Sequence, residues 1–171
     1  LNSRLILFSS LILIVFGTFF IFIFEYNHSL SEHDFLGKLS TAFFSATTPR
    51  TAGFNTIDMA SQSFPTIMIL ILLMWIGASP ASTGGGIKTS TFALATLNII
   101  SIAKGKDRIE VFGREISNNS IRRAFAAISL SLIVIGISII SIAAMEPNLP
   151  FLHIVFESFS AYSTVGLSMG I

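Results

Sequence analysis

The sequence predicts an all-α membrane protein, and three observations predict it. Apolar residues fill 52% of 171 positions and charged residues only 11%, about half the charged share of an ordinary soluble domain. Mean hydropathy is +0.79. The apolar residues are gathered into runs long enough to cross a bilayer, which argues for a bundle of spanning segments rather than one globular core.

The first run, residues 5–24, is uncharged and has the ~20 residues a helix needs to cross ~30 Å of hydrocarbon. It is too long for the apolar core of a signal peptide and ends in Phe-Glu-Tyr rather than at small residues. A second run starts at Pro65, where proline suits a first helical turn, and continues to about residue 102. At ~1.5 Å per residue it exceeds ~50 Å, too long for one straight span. The stretch Gly77-Ala-Ser-Pro-Ala-Ser-Thr-Gly-Gly-Gly86 interrupts it, because glycine and proline do not sustain a helix. A third run covers residues 124–145 and stops before Glu146-Pro147. Two further stretches, residues 35–46 and 150–161, are too apolar for loops. At ~12 residues each they have the length of a re-entrant segment.

Charge sets the orientation. Residues 104–123 hold six basic side chains, Lys104, Lys106, Arg108, Arg114, Arg122 and Arg123, so that segment is expected in the cytoplasm. The first and third spans then run outward, the second runs inward, and residues 35–64 begin and end outside. A net charge of +1 gives no case for nucleic acid as a partner, and the absence of cysteine excludes disulfides, thiolate metal sites and cysteine nucleophiles. The chain begins at Leu1 without a methionine and stops at Ile171 inside a motif; it reads as a fragment.

The two short segments form an internal repeat. A shift of 113 superposes Leu39 on Leu152, Phe43 on Phe156, Ser45 on Ser158, Thr51 on Thr164 and Gly53 on Gly166. The same shift lays the first span over the third. Each short helix leads into a Thr-x-Gly turn, Thr51-Ala-Gly-Phe-Asn55 and Thr164-Val-Gly-Leu-Ser168. The fold class is therefore tandem span–pore-loop–span repeats with re-entrant pore helices and one interrupted transmembrane helix. Residues 1–103 hold the span, pore loop and broken second span of one repeat. Residues 104–123 are a cytoplasmic basic linker, and 124–171 hold the first span and pore loop of the next, incomplete repeat. Irregular backbone at membrane depth is tolerated only inside protein or lining water, where its carbonyls can replace an ion's hydration shell. Glycine permits the positive φ that turns successive carbonyls to one side. A short helix ending at mid-membrane points its negative dipole end at a cation.

At SATTPRTAGFNTID, GASPASTGGGIKTSTF and SAYSTVGLSMG the chain resembles KtrB-like potassium-translocating subunits of the Trk/Ktr/HKT superfamily, in which four fused repeats surround one pore. The resemblance implies the third repeat and part of the fourth. It implies a filter wall at Thr51, Ala52, Gly53, Phe54 and Asn55 and another at Thr164, Val165, Gly166, Leu167 and Ser168, with K+ held at the carbonyls. It further implies an intramembrane gate at Gly77, Ser82, Thr83, Gly84, Gly85, Gly86 and Lys88. The expected function is potassium uptake across the plasma membrane by a multi-pass, non-enzymatic subunit without a cofactor of its own. The expected partners are a second copy, membrane lipid and a cytosolic KtrA-like ring that binds the regulatory nucleotide, ATP or ADP. Phe54-Asn55 and Leu167-Ser168 replace the Tyr-Gly of tetrameric potassium channels, which leaves sodium permeation open. A secondary transporter with broken helices, carrying another cation or a small solute, is the alternative.

Other residues carry less. Lys88 either repels cations or pairs with an acceptor. Its spacing excludes a Walker loop, since Ile87 separates it from Gly86. Arg50 is expected to hydrogen-bond carbonyls and brace the first turn, and Glu157 either to attract cations or to make a structural pair with a basic residue. Glu25, Glu32, Asp34 and Asp58 either concentrate cations at the entrance or belong to a solvated outer loop. The spacing of His28, His33 and His153 makes no metal set.

Overall fold

A computed structural model describes residues 2–80, 82–105, 110–111 and 114–170. Among them the fold is helical: α1 (Asn2–Glu25), α2 (Phe35–Thr47), α3 (Phe64–Trp75), α4 (Thr89–Ala103), α5 (Asn118–Met145) and α6 (Phe151–Tyr162). A single 3-10 turn, Met59–Ser61, precedes α3. Between α4 and α5 lies an antiparallel pair of two-residue strands, β1 (Glu110–Val111) and β2 (Arg114–Glu115).

Local chemistry places the helix ends. Asp34 is in extended conformation and its carboxylate accepts from the Gly37 N–H at 3.0 Å, capping α2. Pro65 stands in the first turn of α3, where its missing N–H costs nothing. α5 starts at Asn118, ahead of the apolar run, and takes Arg122 and Arg123 into its first turns; long basic side chains at a helix end can reach a polar boundary while the helix continues.

The ranges Ser3–Glu25 and Asn118–Met145 are long and apolar enough to cross a membrane. Both present large apolar side chains outward, among them Leu7, Leu11 and Phe19 on α1 and Ile133, Ile137 and Ile140 on α5, a surface too apolar for water contact over that length. α3 and α4 are 12 and 15 residues long, ~18 and ~22 Å, so neither crosses ~30 Å alone.

One core joins both halves of the chain. It holds Leu13 and Ile21 of α1, Ala42 and Ala46 of α2, Leu70, Leu73 and Met74 of α3, and Phe156 of α6, together with Val165 and Leu167 beyond it. At Gly17 three helices meet: an added Cβ would lie 2.8 Å from Leu73 Cδ1 and 3.0 Å from Ala46 Cβ. Small residues allow such close crossings where apolar packing alone must hold helices together. A Trp75 Nε1–Ser131 Oγ hydrogen bond of 3.1 Å joins α3 to α5. The result is a scaffold whose two short helices, α2 and α6, each deliver a turn to the same place.

Candidate functional site

The two Thr-x-Gly turns share one unusual backbone. Thr51 has φ +70° and Gly53 +73°; Thr164 has φ +52° and Gly166 +88°. Positive φ is ordinary for glycine but a true outlier for a β-branched residue. Among the described residues these two threonines are the only non-glycine residues with positive φ, and they are equivalent under the 113-residue shift. Positive φ thus recurs at every second residue, 51 and 53 in the first turn and 164 and 166 in the second. Side chains from residue 163 to 170 alternate accordingly. Ser163, Val165, Leu167 and Met169 are buried, while Thr164, Gly166, Ser168 and Gly170 are exposed. Thr164, Gly166 and Ser168, with Glu157 and Ser160, line an open groove of about 420 Å3.

The turns touch each other. A Cβ on Gly53 would overlap the Val165 carbonyl, whereas nothing lies within 4 Å of one built on Gly166. Each turn is tied to its short helix by a hydroxyl: Thr48 donates to the Phe54 carbonyl, and Ser160 donates to the Leu167 carbonyl at 2.6 Å.

The glycine-rich break lies directly against both turns. α3 stops at Trp75 and α4 starts at Thr89. The chain between them forms a loop closed at its base, where Ile76 and Ile87 pair and the Ile87 N–H donates to Trp75 O at 2.9 Å. Gly84 packs on Thr51, where an added Cβ would sit 2.9 Å from Thr51 Oγ1. Gly85 packs on the second turn, with an added Cβ 2.5 Å from Ser163 O. The Gly85 N–H donates to Thr164 Oγ1 at 3.1 Å. Gly77 is pressed against the Gly85 carbonyl near the base, while Ser82 and Thr83 at the tip are exposed. Lys88 Nζ donates to Gly84 O at 2.6 Å and Ser82 O at 3.2 Å. Of its two expected roles, the structure has it pairing with acceptors.

Residues 4–171 match the TrkH family, described as a cation transport protein. The chain belongs to the TrkH family. It is 40% identical over its whole length to Ktr system potassium uptake protein B of Bacillus subtilis strain 168, and 36% identical to the potassium/sodium uptake protein NtpJ of Enterococcus hirae; it covers 39% of each. Over 93% of its length it is 37% identical to Ktr system potassium uptake protein D of Bacillus subtilis, covering 35% of that protein. The chain thus spans about two fifths of the length of these relatives. The expected superfamily resemblance holds, and the family is one of cation transporters rather than enzymes.

In this TrkH-family chain the charged residues around the turns are structural ties. Arg50 reaches α1, donating to Ser10 O at 3.4 Å and Ser10 Oγ at 3.3 Å. Glu157 accepts from Ser168 Oγ at 2.6 Å and from the Met169 N–H at 2.9 Å, holding the backbone that leaves the second turn, in place of the basic partner expected of it. Glu25 is 1% exposed, which corrects the expectation of a solvated outer-loop acid. Lys38, in α2, was not expected to matter. It is 9% exposed, donates to Tyr26 O at 2.7 Å and stands 3.8 Å from the centre of the Tyr26 ring. An ionisable residue within an apolar short helix was the available signal. Thr51 Oγ1 is buried without a hydrogen-bond partner among the described residues.

Proposed function

We propose that this chain contributes to a potassium uptake pore, with residues 51–55 and 164–168 as two walls of a carbonyl-lined selectivity filter. The observation that carries this reading is the doubled turn. Two segments 113 residues apart share positive φ at a threonine and a glycine, and they meet. A dehydrated cation needs several oxygens at once. In this reading carbonyls of the two turns supply them, and the unpartnered Thr51 Oγ1 adds one more. α2 and α6 are re-entrant pore helices of two tandem repeats, α1 and α5 are spans, and α3 with α4 forms the interrupted span.

The loop 77–88 is the gate. It blocks the path where Gly84 and Gly85 lie against the turns, with Lys88 holding it folded. The pore works in the plasma membrane as part of a multi-pass subunit that pairs with a second copy. Its basic segment, residues 104–123, is cytoplasmic and docks a nucleotide-binding regulatory ring. Potassium is the preferred ion and sodium a slower one. The missing Tyr-Gly after each central glycine leaves fewer ordered oxygens, and one relative is named for both ions.

The test is potassium uptake by the full-length protein in cells lacking their own uptake systems, with sodium as competitor. Gly53→Ser and Gly166→Ser, at matched membrane levels, are expected to weaken the preference for potassium. Unchanged uptake and selectivity in both variants would overturn the filter.

A further inference from the structure

We propose that the outer end of α1 is a clasp that sets the position of the first pore loop, so that ion selectivity depends on Glu25, which touches no ion. The proposal rests on the reading of residues 51–55 as a filter wall. That wall hangs between two limbs: α2 descends to it, and residues 56–63 climb from it into α3. Two consecutive residues of α1 and its outer end hold one limb each.

The descending limb is held through Lys38, whose ammonium donates to Tyr26 O at 2.7 Å and stands 3.8 Å from the centre of the Tyr26 ring. Carbonyl and ring together satisfy a cation that is otherwise buried. The ascending limb is held through Glu25. Its Oε1 accepts from the Ser63 N–H at 2.9 Å and Ser63 Oγ at 2.6 Å. Its Oε2 accepts from Ser29 Oγ at 2.7 Å, the Ser29 N–H at 3.2 Å and His28 Nδ1 at 3.2 Å.

Ser63 is the N-cap of α3, yet its own side chain makes no capping bond. Glu25 instead binds the Ser63 N–H and hydroxyl from another helix. It places a carboxylate at the positive end of the α3 dipole, where an anion is favoured. A buried carboxylate with this many donors has little freedom, and neither do the groups it binds. Loss of either tie frees one limb, and the carbonyls between the limbs lose their fixed spacing. A filter discriminates between ions only while its oxygens keep their spacing and number, so the ratio between ions should fall before conduction does. Glu25 and Lys38 are positioning residues in this scheme.

The experiment measures potassium and sodium uptake by the full-length protein in cells lacking their own uptake systems, with Glu25→Ala, Lys38→Met and Ser63→Ala at matched membrane levels. Gly53→Ser is run beside them. The expected result is a potassium-over-sodium ratio lowered by roughly tenfold, as for loss of a charge-assisted hydrogen bond, with potassium uptake at saturation retained. Glu25→Gln, which keeps an acceptor, is expected to recover part of the ratio. If Glu25→Ala fails to reach the membrane, Lys38→Met and Ser63→Ala decide between the outcomes. A wild-type ratio in the variants that do reach the membrane, while Gly53→Ser alters it, overturns the clasp alone. A wild-type ratio in Gly53→Ser as well overturns the filter.

Discussion

The turn at Thr51–Gly53 and the turn at Thr164–Gly166 have the same backbone and different supports. The first has Arg50 beside it, reaching across to Ser10 of α1. The second has buried Ser163 in the matching place and takes its support from Glu157, which binds Ser168 and Met169. What the two have in common is positive φ at threonine and glycine and one hydroxyl-to-carbonyl tie from the short helix. The shared part is the turn backbone with its tether, and the bracing around it is local. A duplicated element can therefore keep its backbone while its neighbours diverge, provided each copy is held by some means.

The difference in surroundings makes the two glycines unequal. Gly53→Ala combines left-handed strain of ~1–3 kcal/mol with overpacking of ~1–3 kcal/mol against Val165 O. Potassium uptake is expected to fall on the order of a hundredfold. Gly166→Ala meets open space and carries only the strain, so a fall of about tenfold is expected. Equal losses, measured as initial uptake rates, would mean that the two turns do not touch as described.

The glycine loop allows a second comparison, because Gly84 faces the first turn and Gly85 the second. Gly85→Ala pushes the loop away from Ser163 and Thr164, and basal uptake should rise about fivefold for each ~1 kcal/mol of crowding. Gly84→Ala also crowds Ala78 within the loop itself, and its gain should be smaller. A loss of uptake in both would remove the loop from any gating role.

The supports give the smallest effects. Glu157→Gln weakens two charge-assisted bonds by ~1 kcal/mol, and a fall in the potassium-over-sodium ratio of roughly fivefold is expected. Thr48→Val and Ser160→Ala each remove one tie worth ~1 kcal/mol. Ratios shifted equally by these two would make the turns equivalent in tether as well as in backbone; unequal shifts would show which turn sets selectivity.

Much of this was legible from residue order. The apolar runs located α1 and α5, the short apolar stretches located α2 and α6 within a residue, and the glycine cluster located the break between α3 and α4. Matching residues at a fixed shift were sufficient to pair the two turns. The φ values of Thr51 and Thr164 were not legible: sequence reasoning assigns positive φ to glycine, and only the surrounding contacts hold a β-branched residue there. Lys38 was missed, and Glu25 was read as an entrance or outer-loop acid, for a related reason. Their partners, Ser63 and Tyr26, are remote in sequence, and hydropathy scores an acid at the end of a span as exposed. The start of α5 was read late because hydropathy marks where a helix becomes apolar, not where Ser117 begins it.

The pairing of Ile76 with Ile87 has a consequence for speed. Because the Ile87 N–H meets Trp75 O, the chain enters and leaves the glycine loop at one point, and the tip can swing while the stem stays shut. In the proposed gate, α3 and α4 need not slide against their neighbours for the path to clear. Loop motions occur in ns–μs and helix shifts in μs–ms. Opening would then be timed by the release of a few bonds, those of Lys88 and Gly85 foremost, and its rate would be nearly independent of bilayer thickness.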